Sequence, residues 1–211
     1  MRLKHVKGAI EIIEKGTYYI NNPEDYIGNW NKVFNNNNPI YIEIGMGKGN
    51  FIIENAKKYP NINFIGIEKF DSVIVRAIEK SNSVELNNLK LIKIDAINID
   101  KIFDKEIDLI YLNFSDPWPK DRHAKRRLTS PIFLNLYDNI FKNDKKIIMK
   151  TDNNNLFDYS IETLKEHGYK LKNITRDLTS LNDKNNIMTE YESKFIDKGI
   201  KINRLEAYKD W

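Results

Sequence analysis

The chain has 211 residues, of which 41% are hydrophobic and 30% are charged, and its formal net charge is +4. These values fit one domain with a sizeable apolar core, and the absence of cysteine excludes disulfides, thiolate metal sites and cysteine nucleophiles. The three histidines, His5, His123 and His167, lie far apart, so we predict no metal site. No apolar stretch has the length of a signal peptide or a membrane span, which favours a cytoplasmic protein.

Residues 1–38 are predicted to form an N-terminal extension. A short helix is expected around Ala9, Ile10, Ile12 and Ile13, and the asparagines at 35–38 are typical of a flexible connector. The pattern changes at Pro39, so we place one α/β domain over residues 39–211.

Strands and helices alternate along this domain. Strands are predicted at 39–44, 63–68, 89–95, 106–112 and 146–152, and helices at 51–59, 73–78, 132–141 and 156–167. The alternation predicts a mostly parallel sheet with helices on both faces. Two further strands, at 169–178 and 200–208, are expected to add an antiparallel hairpin at the sheet edge.

The first strand runs directly into a glycine-rich turn. Gly45, Gly47 and Gly49 allow positive φ and close approach of a ligand at the start of a helix. A dinucleotide-binding turn would place its third glycine at position 50, where this chain has Asn50. The turn therefore favours S-adenosylmethionine, whose methionyl amine Glu43 is placed to bind.

Two more acids end the next two predicted strands. Glu68 is placed to accept hydrogen bonds from ribose hydroxyls, and Asp95 to meet an adenine amino group. Any one of these acids alone is more typical of a solvated strand end. Three acids at successive strand ends favour a cofactor site.

The fourth strand is followed by Asp116-Pro-Trp-Pro119 and then by five Lys or Arg residues within positions 120–127. The prolines cannot continue the strand, so Asp116 is expected at the edge of the sheet where ligands bind. An isolated Asp-Pro could simply cap a turn, and a basic run is often only a solvated face. An acid, the Trp118 ring and a cationic patch side by side indicate a site for a nucleic-acid base and its phosphates.

Four stretches together resemble the bacterial tRNA (guanine-N7-)-methyltransferases. They are Glu43-Ile-Gly-Met-Gly-Lys-Gly49, Gly66-Ile-Glu68, the segment from Asn113 to Arg127, and Thr189-Glu-Tyr-Glu192. The resemblance implies a Rossmann-like class I methyltransferase fold with a mostly parallel seven-stranded sheet, and transfer of a methyl group to N7 of guanine 46 in the variable loop. It implies tRNA as the partner. The sequence does not distinguish between a monomer and a homodimer.

The resemblance also implies residue roles. The cofactor would be bound by Glu43, Gly45, Gly47, Gly49, Glu68, Asp95 and Asp116, and Asp116 would be the active-site carboxylate. Substrate binding is implied for Lys120, Asp152, Thr189, Glu190, Tyr191 and Glu192, and RNA binding for Arg122, His123, Lys125, Arg126 and Arg127. Without the resemblance, Thr189–Glu192 would be predicted as a polar loop before an edge strand.

Guanine N7 carries an unprotonated lone pair, so its methylation needs no general base. We expect Asp116, with Asp152 or Glu192, to accept hydrogen bonds from guanine N1–H and its amino group while Trp118 packs nearby. One alternative is an adenine amino-methyltransferase, because Asp116-Pro-Trp-Pro is similar to an Asp-Pro-Pro-aromatic motif. Another is an RNA-binding module that holds S-adenosylmethionine without turnover; a nicotinamide-dependent dehydrogenase is disfavoured by Asn50.

Overall fold

A single twisted sheet organises the chain. The computed structural model describes residues 8–181, 183 and 186–210; the predicted N-terminal arm up to residue 7, including His5, lies outside the described residues. The strands are β1 Ile40–Ile44, β2 Asn63–Glu68, β3 Leu89–Lys93, β4 Leu109–Asn113, β5 Lys145–Thr151, β6 Lys170–Thr175 and β7 Asn203–Lys209. Their order across the sheet is β3-β2-β1-β4-β5-β7-β6. The first five strands pair in parallel, and β7 pairs antiparallel to both β5 and β6, so the predicted sheet is confirmed.

Helices fill the connections between the strands. They are α1 Ala9–Glu14, α2 Trp30–Phe34, α3 Asn50–Lys58, α4 Asp71–Ser81, α5 Pro131–Ile140, α6 Asn154–Glu166 and α7 Glu190–Ile196. Short 3-10 segments lie at Pro23–Tyr26, Ala96–Lys101, Asp121–Arg126 and Leu178–Leu181. In the described residues no helix has the length and apolar character needed to cross a membrane. Nor does this part of the chain contain three or more His, Asp or Glu side chains grouped to hold a metal ion.

Two apolar layers cover the faces of the sheet. On one face, β-branched residues such as Ile42 and Ile110 pack in a cluster with α5 and α6; on the other, Ile52 and Ile74 bring α3 and α4 against Phe64. Full burial of each such side chain stabilises the fold by about 1.5–3 kcal/mol. These layers hold the carboxyl ends of the parallel strands in a fixed arrangement.

The described part of the extension, residues 8–38, packs against the domain. Trp30 is fully buried, and its indole N–H donates to the Ile102 carbonyl at 2.7 Å. The asparagine run is also ordered by hydrogen bonds, since Asn63 Nδ2 donates to Asn36 Oδ1 at 2.7 Å. The aromatic and amide side chains of this segment form hydrogen bonds with groups in the domain, and composition alone does not identify those partners.

The same segment covers one edge of the sheet. Tyr19 forms an isolated parallel bridge with Leu91 of β3. The Leu91 N–H donates to the Tyr18 carbonyl at 2.9 Å, and the Ile20 N–H donates to the Leu91 carbonyl at 3.0 Å. Part of the outer hydrogen-bonding edge of β3 is therefore already paired.

Candidate functional site

The carboxyl ends of β1 to β5 meet at one edge of the sheet and bring the sequence-predicted acids together. Glu43 lies within β1 and Glu68 ends β2, while Asp95, Asp116 and Asp152 follow β3, β4 and β5. This is the edge at which open α/β sheets bind ligands.

The glycine turn after β1 leaves open space on one side and packs closely on the other. Gly45, Gly47 and Gly49 all have positive φ, between 59° and 78°. A Cβ atom at Gly45 or Gly47 would meet no atom of the part of the chain that the structure describes within 4 Å, whereas one at Gly49 would lie 2.8 Å from Ala77 Cβ. Gly49 therefore permits close packing on α4, while the other two leave room for a ligand beside the backbone.

Glu43 lies beneath this turn with half of its carboxylate unpaired. Its side chain is 2% exposed, and Oε1 accepts a hydrogen bond from Asn113 Nδ2 at 2.9 Å. Oε2 is buried and has no hydrogen-bond partner among the described residues. Burial raises the pKa of the Glu43 carboxyl to about 8. A buried, unsatisfied carboxylate is costly, so a cationic ligand group at Oε2 would be strongly favoured.

Glu68 holds the glycine turn and the start of the next loop in place. Its Oε2 accepts from the Gly47 N–H at 3.2 Å, and its Oε1 accepts from the N–H groups of Lys69 and Phe70 at 2.8 and 3.1 Å. Burial raises the pKa of Glu68, and these three hydrogen bonds oppose that shift. Glu68 therefore holds the backbone of the glycine turn and of the loop after β2 in place.

Asp95 is exposed and caps the 3-10 segment Ala96–Lys101, accepting from the Ile97 N–H at 3.3 Å. Its Oδ2 lies 3.8 Å from Lys69 Nζ. Phe70 and Ile97, the second residues after Glu68 and Asp95, are large apolar side chains left 39% and 45% exposed. These exposed apolar groups suit an aromatic ring bound beside Asp95.

The loop after β4 is held by a buried arginine. Arg127 is 8% exposed; its Nε and Nη2 donate to the carbonyls of Pro117 and Trp118, both at 3.1 Å. Its guanidinium carbon also lies 4.3 Å from the ring centroid of Tyr159. The structure thus commits Arg127 to fixing the backbone next to Asp116, a different role from the RNA contact expected from sequence. Asp116 itself is exposed.

The rest of the basic run remains on the surface. Lys120, Arg122, Lys125 and Arg126 are exposed, and His123 is half-buried. The Trp118 ring contacts two of them: the Arg126 guanidinium carbon is 4.8 Å from its centroid, and the His123 ring meets it edge-on with the centroids 5.8 Å apart. Trp118 has a φ of 42°, which places it in the left-handed region. This surface presents an aromatic ring among cations.

The Thr189-Glu-Tyr-Glu192 stretch begins helix α7 and does not form the polar loop that its composition alone predicts. Thr189 is the N-cap: its Oγ1 accepts from the Glu192 N–H at 3.0 Å, and Glu192 Oε2 accepts from the Thr189 N–H at 3.3 Å. This reciprocal pair is a capping box. A threonine followed three residues later by glutamate was the sequence signal for it.

Glu192 forms a buried ion pair with Lys150 of β5, a residue whose role the sequence alone does not indicate. Lys150 Nζ lies 2.9 Å from Glu192 Oε2, and the two side chains are 4% and 1% exposed. Lys150 also donates to Asn186 Oδ1 and the Ile187 carbonyl, and Asn186 Nδ2 donates to Glu192 Oε1. Burial lowers the pKa of Lys150, and the Glu192 charge opposes this shift. Both oxygens of Glu192 are therefore occupied by protein groups.

Glu190 joins the start of α7 to the glycine turn. Its Oε1 accepts from Lys80 Nζ at 2.6 Å and from Asn50 Nδ2 at 2.8 Å, and Oε2 lies 3.5 Å from Lys48 Nζ. Partial burial acts to raise the pKa of Glu190, but the Lys80 hydrogen bond and the charges of Lys80, Lys48 and Lys194 outweigh it, so the pKa is lowered. Asp152, by contrast, is exposed just beyond β5.

Comparison with known proteins identifies relatives over the full chain. The model of a family described as "Putative methyltransferase" matches residues 37–205. The chain is 51% identical to the tRNA (guanine-N(7)-)-methyltransferase of Lachnoclostridium phytofermentans, covering 100% of this chain and 99% of the relative. It is also 51% identical to the protein of the same name from Bacillus cytotoxicus, covering 98% and 96%. A solved antibiotic-related methyltransferase shares the fold with a TM-score of 0.65 and 17% identity, covering 93% of this chain and 98% of the other.

Proposed function

Since the chain belongs to the tRNA (guanine-N7-)-methyltransferase family, we propose that it transfers the methyl group of S-adenosylmethionine to N7 of guanine 46 in the tRNA variable loop. The observation that carries the proposal is a juxtaposition at one sheet edge. The unpaired Glu43 carboxylate oxygen beside the open glycine turn lies on the same edge as Asp116 and its basic surface.

The residues around the glycine turn fit S-adenosylmethionine. Bound there, the cofactor would supply a methyl group activated by a sulfonium centre. Glu43 Oε2 would accept a hydrogen bond from the methionyl ammonium, and Glu68 would accept hydrogen bonds from the ribose hydroxyls. Asp95 would accept one from the adenine amino group, with the adenine ring beside Phe70 and Ile97. The open space at Gly45 and Gly47 admits the ligand next to the backbone.

On the substrate side, the protein has to position guanine N7 and stabilise the positive charge that appears on the methylated base. Asp116 is exposed on a loop fixed by Arg127, so its carboxylate can accept hydrogen bonds from the guanine N1–H and amino group. Of the two partners considered for Asp116, Asp152 is favoured because Glu192 has no free oxygen. Lys120 lies on the same exposed loop and is assigned to substrate binding.

The exposed cations Arg122, Lys125 and Arg126, together with His123, would bind tRNA phosphates around the Trp118 ring. These contacts offset the cost of unstacking the target base, which is a few kcal/mol. Activity on tRNA favours a cytoplasmic location.

The test is incubation of the protein with methyl-labelled S-adenosylmethionine and unmodified tRNA, followed by nucleoside analysis. Label in 7-methylguanosine is expected, and a tRNA with adenine in place of guanine 46 should accept none. Label in an adenine derivative would overturn the assignment in favour of an amino-methyltransferase. Cofactor binding without transfer to any tRNA would instead indicate a non-catalytic RNA-binding module.

A further inference from the structure

We propose that the Tyr191 ring, supported by Phe114 and Phe195, is the face on which the target guanine stacks beside Asp116. The neighbouring acids Glu190 and Glu192 act as positioning residues that hold this face. The inference rests on the proposed function and names the side chain that recognises the flat surface of the base.

Exposure within Thr189–Glu192 singles out Tyr191. Thr189 is buried as the helix cap, and Glu192 is buried in its pair with Lys150. Glu190 is held by Lys80 and Asn50. Tyr191 is the exposed member of the four, with 49% of its side chain accessible. A half-exposed aromatic ring held between two fixed acids is suited to contact a partner.

Three aromatic rings pack together at this point. The Tyr191 and Phe114 centroids are 5.9 Å apart with planes inclined by 24°, and Tyr191 and Phe195 are 6.3 Å apart at 29°. Phe114 and Phe195 are separated by 5.8 Å. The two pairs that include Tyr191 are offset and nearly parallel, an arrangement that is favourable for aromatic rings. They fix the plane of Tyr191 in advance, so little conformational entropy is lost when a base stacks on it.

The backbone links this stack to the active-site carboxylate. Phe114 is two residues before Asp116, and it has a φ of 49°, in a region that residues with a β-carbon seldom adopt. Its N–H donates to the Lys150 carbonyl at 2.8 Å, which holds this turn against β5. The ring under Tyr191 and the Asp116 carboxylate are thus carried by one short, constrained segment.

The chemistry of the reaction also suits an aromatic face. Methylation at N7 turns a neutral base into a cationic one, and the face of an aromatic ring attracts cations. Tyr191 would therefore bind the base more tightly as its charge develops. Lys194 Nζ lies over the Tyr191 ring, 5.9 Å from its centroid. Lys194 is exposed, so its side chain is free to turn from the ring to a nucleotide phosphate when the base stacks there.

The test compares Tyr191→Phe, Tyr191→Trp and Tyr191→Leu with Tyr26→Leu, a matched change at a tyrosine that is 38% exposed in the segment Pro23–Tyr26. Phe and Trp should keep kcat/KM for tRNA within about threefold, because stacking needs the ring. Leu should lower it by about 10- to 100-fold, in line with measured base–aromatic stacking. It should also reduce the preference for binding methylated over unmethylated tRNA. Cofactor affinity without tRNA and the melting temperature should stay near those of the unsubstituted protein, and Tyr26→Leu should be neutral.

Equal activity of the Leu and Phe variants would overturn the inference, because an apolar filler would then suffice. If Tyr191→Leu does not fold, Tyr191→Met replaces it, with the same expected loss and the same refuting result. The activity of the unsubstituted protein distinguishes failure of the stacking role from failure of the proposed function. If it forms 7-methylguanosine and the Leu or Met variant matches it, only the stacking role fails; if it forms none, the proposed function fails.

Discussion

The acids at the carboxyl ends of the strands fall into two groups. Glu43 and Glu68 are buried next to the glycine turn, whereas Asp116 and Asp152 are exposed beyond the ends of β4 and β5. Burial raises the pKa of both buried carboxyls. The group next to the glycine turn is therefore largely formed before any ligand binds. Binding of a small cationic molecule would offset the free energy that burying these carboxyl groups costs. The other group presents carboxylates and cations to water, as expected where a large polyanion completes the site.

The largest effect is expected at Asp116. Asp116→Ala should lower kcat by about 1,000-fold, the upper range for loss of one positioned electrostatic group, while tRNA binding changes little. Single-turnover methylation and tRNA binding in a filter assay measure the two quantities. Asp121→Ala, a change at an exposed acid in the basic run, is the control and should retain activity. Near-normal turnover of Asp116→Ala would refute its assigned role.

A substitution at Lys150 tests whether the buried ion pair between Lys150 and Glu192 stabilises the protein. Lys150→Met leaves Glu192 buried without its cation, which should destabilise the protein by about 3 kcal/mol. Denaturant unfolding measures this loss. The double variant Lys150→Met/Glu192→Met should recover much of it, because an apolar pair of similar size replaces the charges. Equal unfolding midpoints for Lys150→Met and the unsubstituted protein would show that the pair contributes no stability.

A substitution at Glu43 tests whether this buried carboxyl group binds the cofactor. Glu43→Gln should weaken S-adenosylmethionine binding by about 30-fold, because it removes a charge-assisted hydrogen bond to the methionyl ammonium. Calorimetric titration measures the affinity. An unchanged dissociation constant would contradict the assignment of Glu43 to the cofactor.

The pH dependence of Glu43 follows from its pKa of about 8 without cofactor. At neutral pH the carboxyl is mostly protonated, so binding an ammonium group should release a proton, and affinity should rise between about pH 6 and pH 8. Because the folded-state pKa is raised from 4.5, the folded state keeps a proton that the unfolded chain releases. Glu43 therefore lowers the stability of the cofactor-free protein as pH rises from 4.5 to about 8. In Glu43→Gln both effects should disappear, as seen by titration in buffers of different ionisation enthalpy and by melting curves.

The smallest effect distinguishes two neighbouring arginines. Arg126→Gln should weaken tRNA binding by about fivefold and reduce the slope of log affinity against log salt by about 1, since it removes one phosphate contact. Arg127→Gln should lower the melting temperature, because two carbonyls lose a charged donor. Equal salt slopes for both variants would contradict this division of roles.

The strand pattern was predictable because apolar runs, prolines and glycines act locally: β2 spans the predicted 63–68, and the other predicted strands overlap the observed ones. The placement of Glu43 and Glu68 at the sheet edge followed from the same pattern. The burial of Arg127 and the pairing of Lys150 with Glu192 could not be predicted, because they depend on contacts between distant segments. The α7 start could have been identified, since Thr189 and Glu192 have capping-box spacing. The Asn35–Asn38 run suggested a flexible connector because composition does not reveal its partner Asn63.

The bridge between Tyr19 and Leu91 has a consequence for how the protein behaves at high concentration. An uncovered β3 would offer a free edge to other chains, a known route to aggregation. At the opposite edge, β6 carries the exposed Lys170 and Lys172, and its register with β7 shifts between Lys172 and Thr175, features that oppose such pairing. A truncated chain that starts at residue 37, where the family match begins, would keep the acids of the catalytic edge but lose the cover over β3. Residues 18–20 thus occupy backbone groups of β3 that would otherwise be open to pairing with another chain.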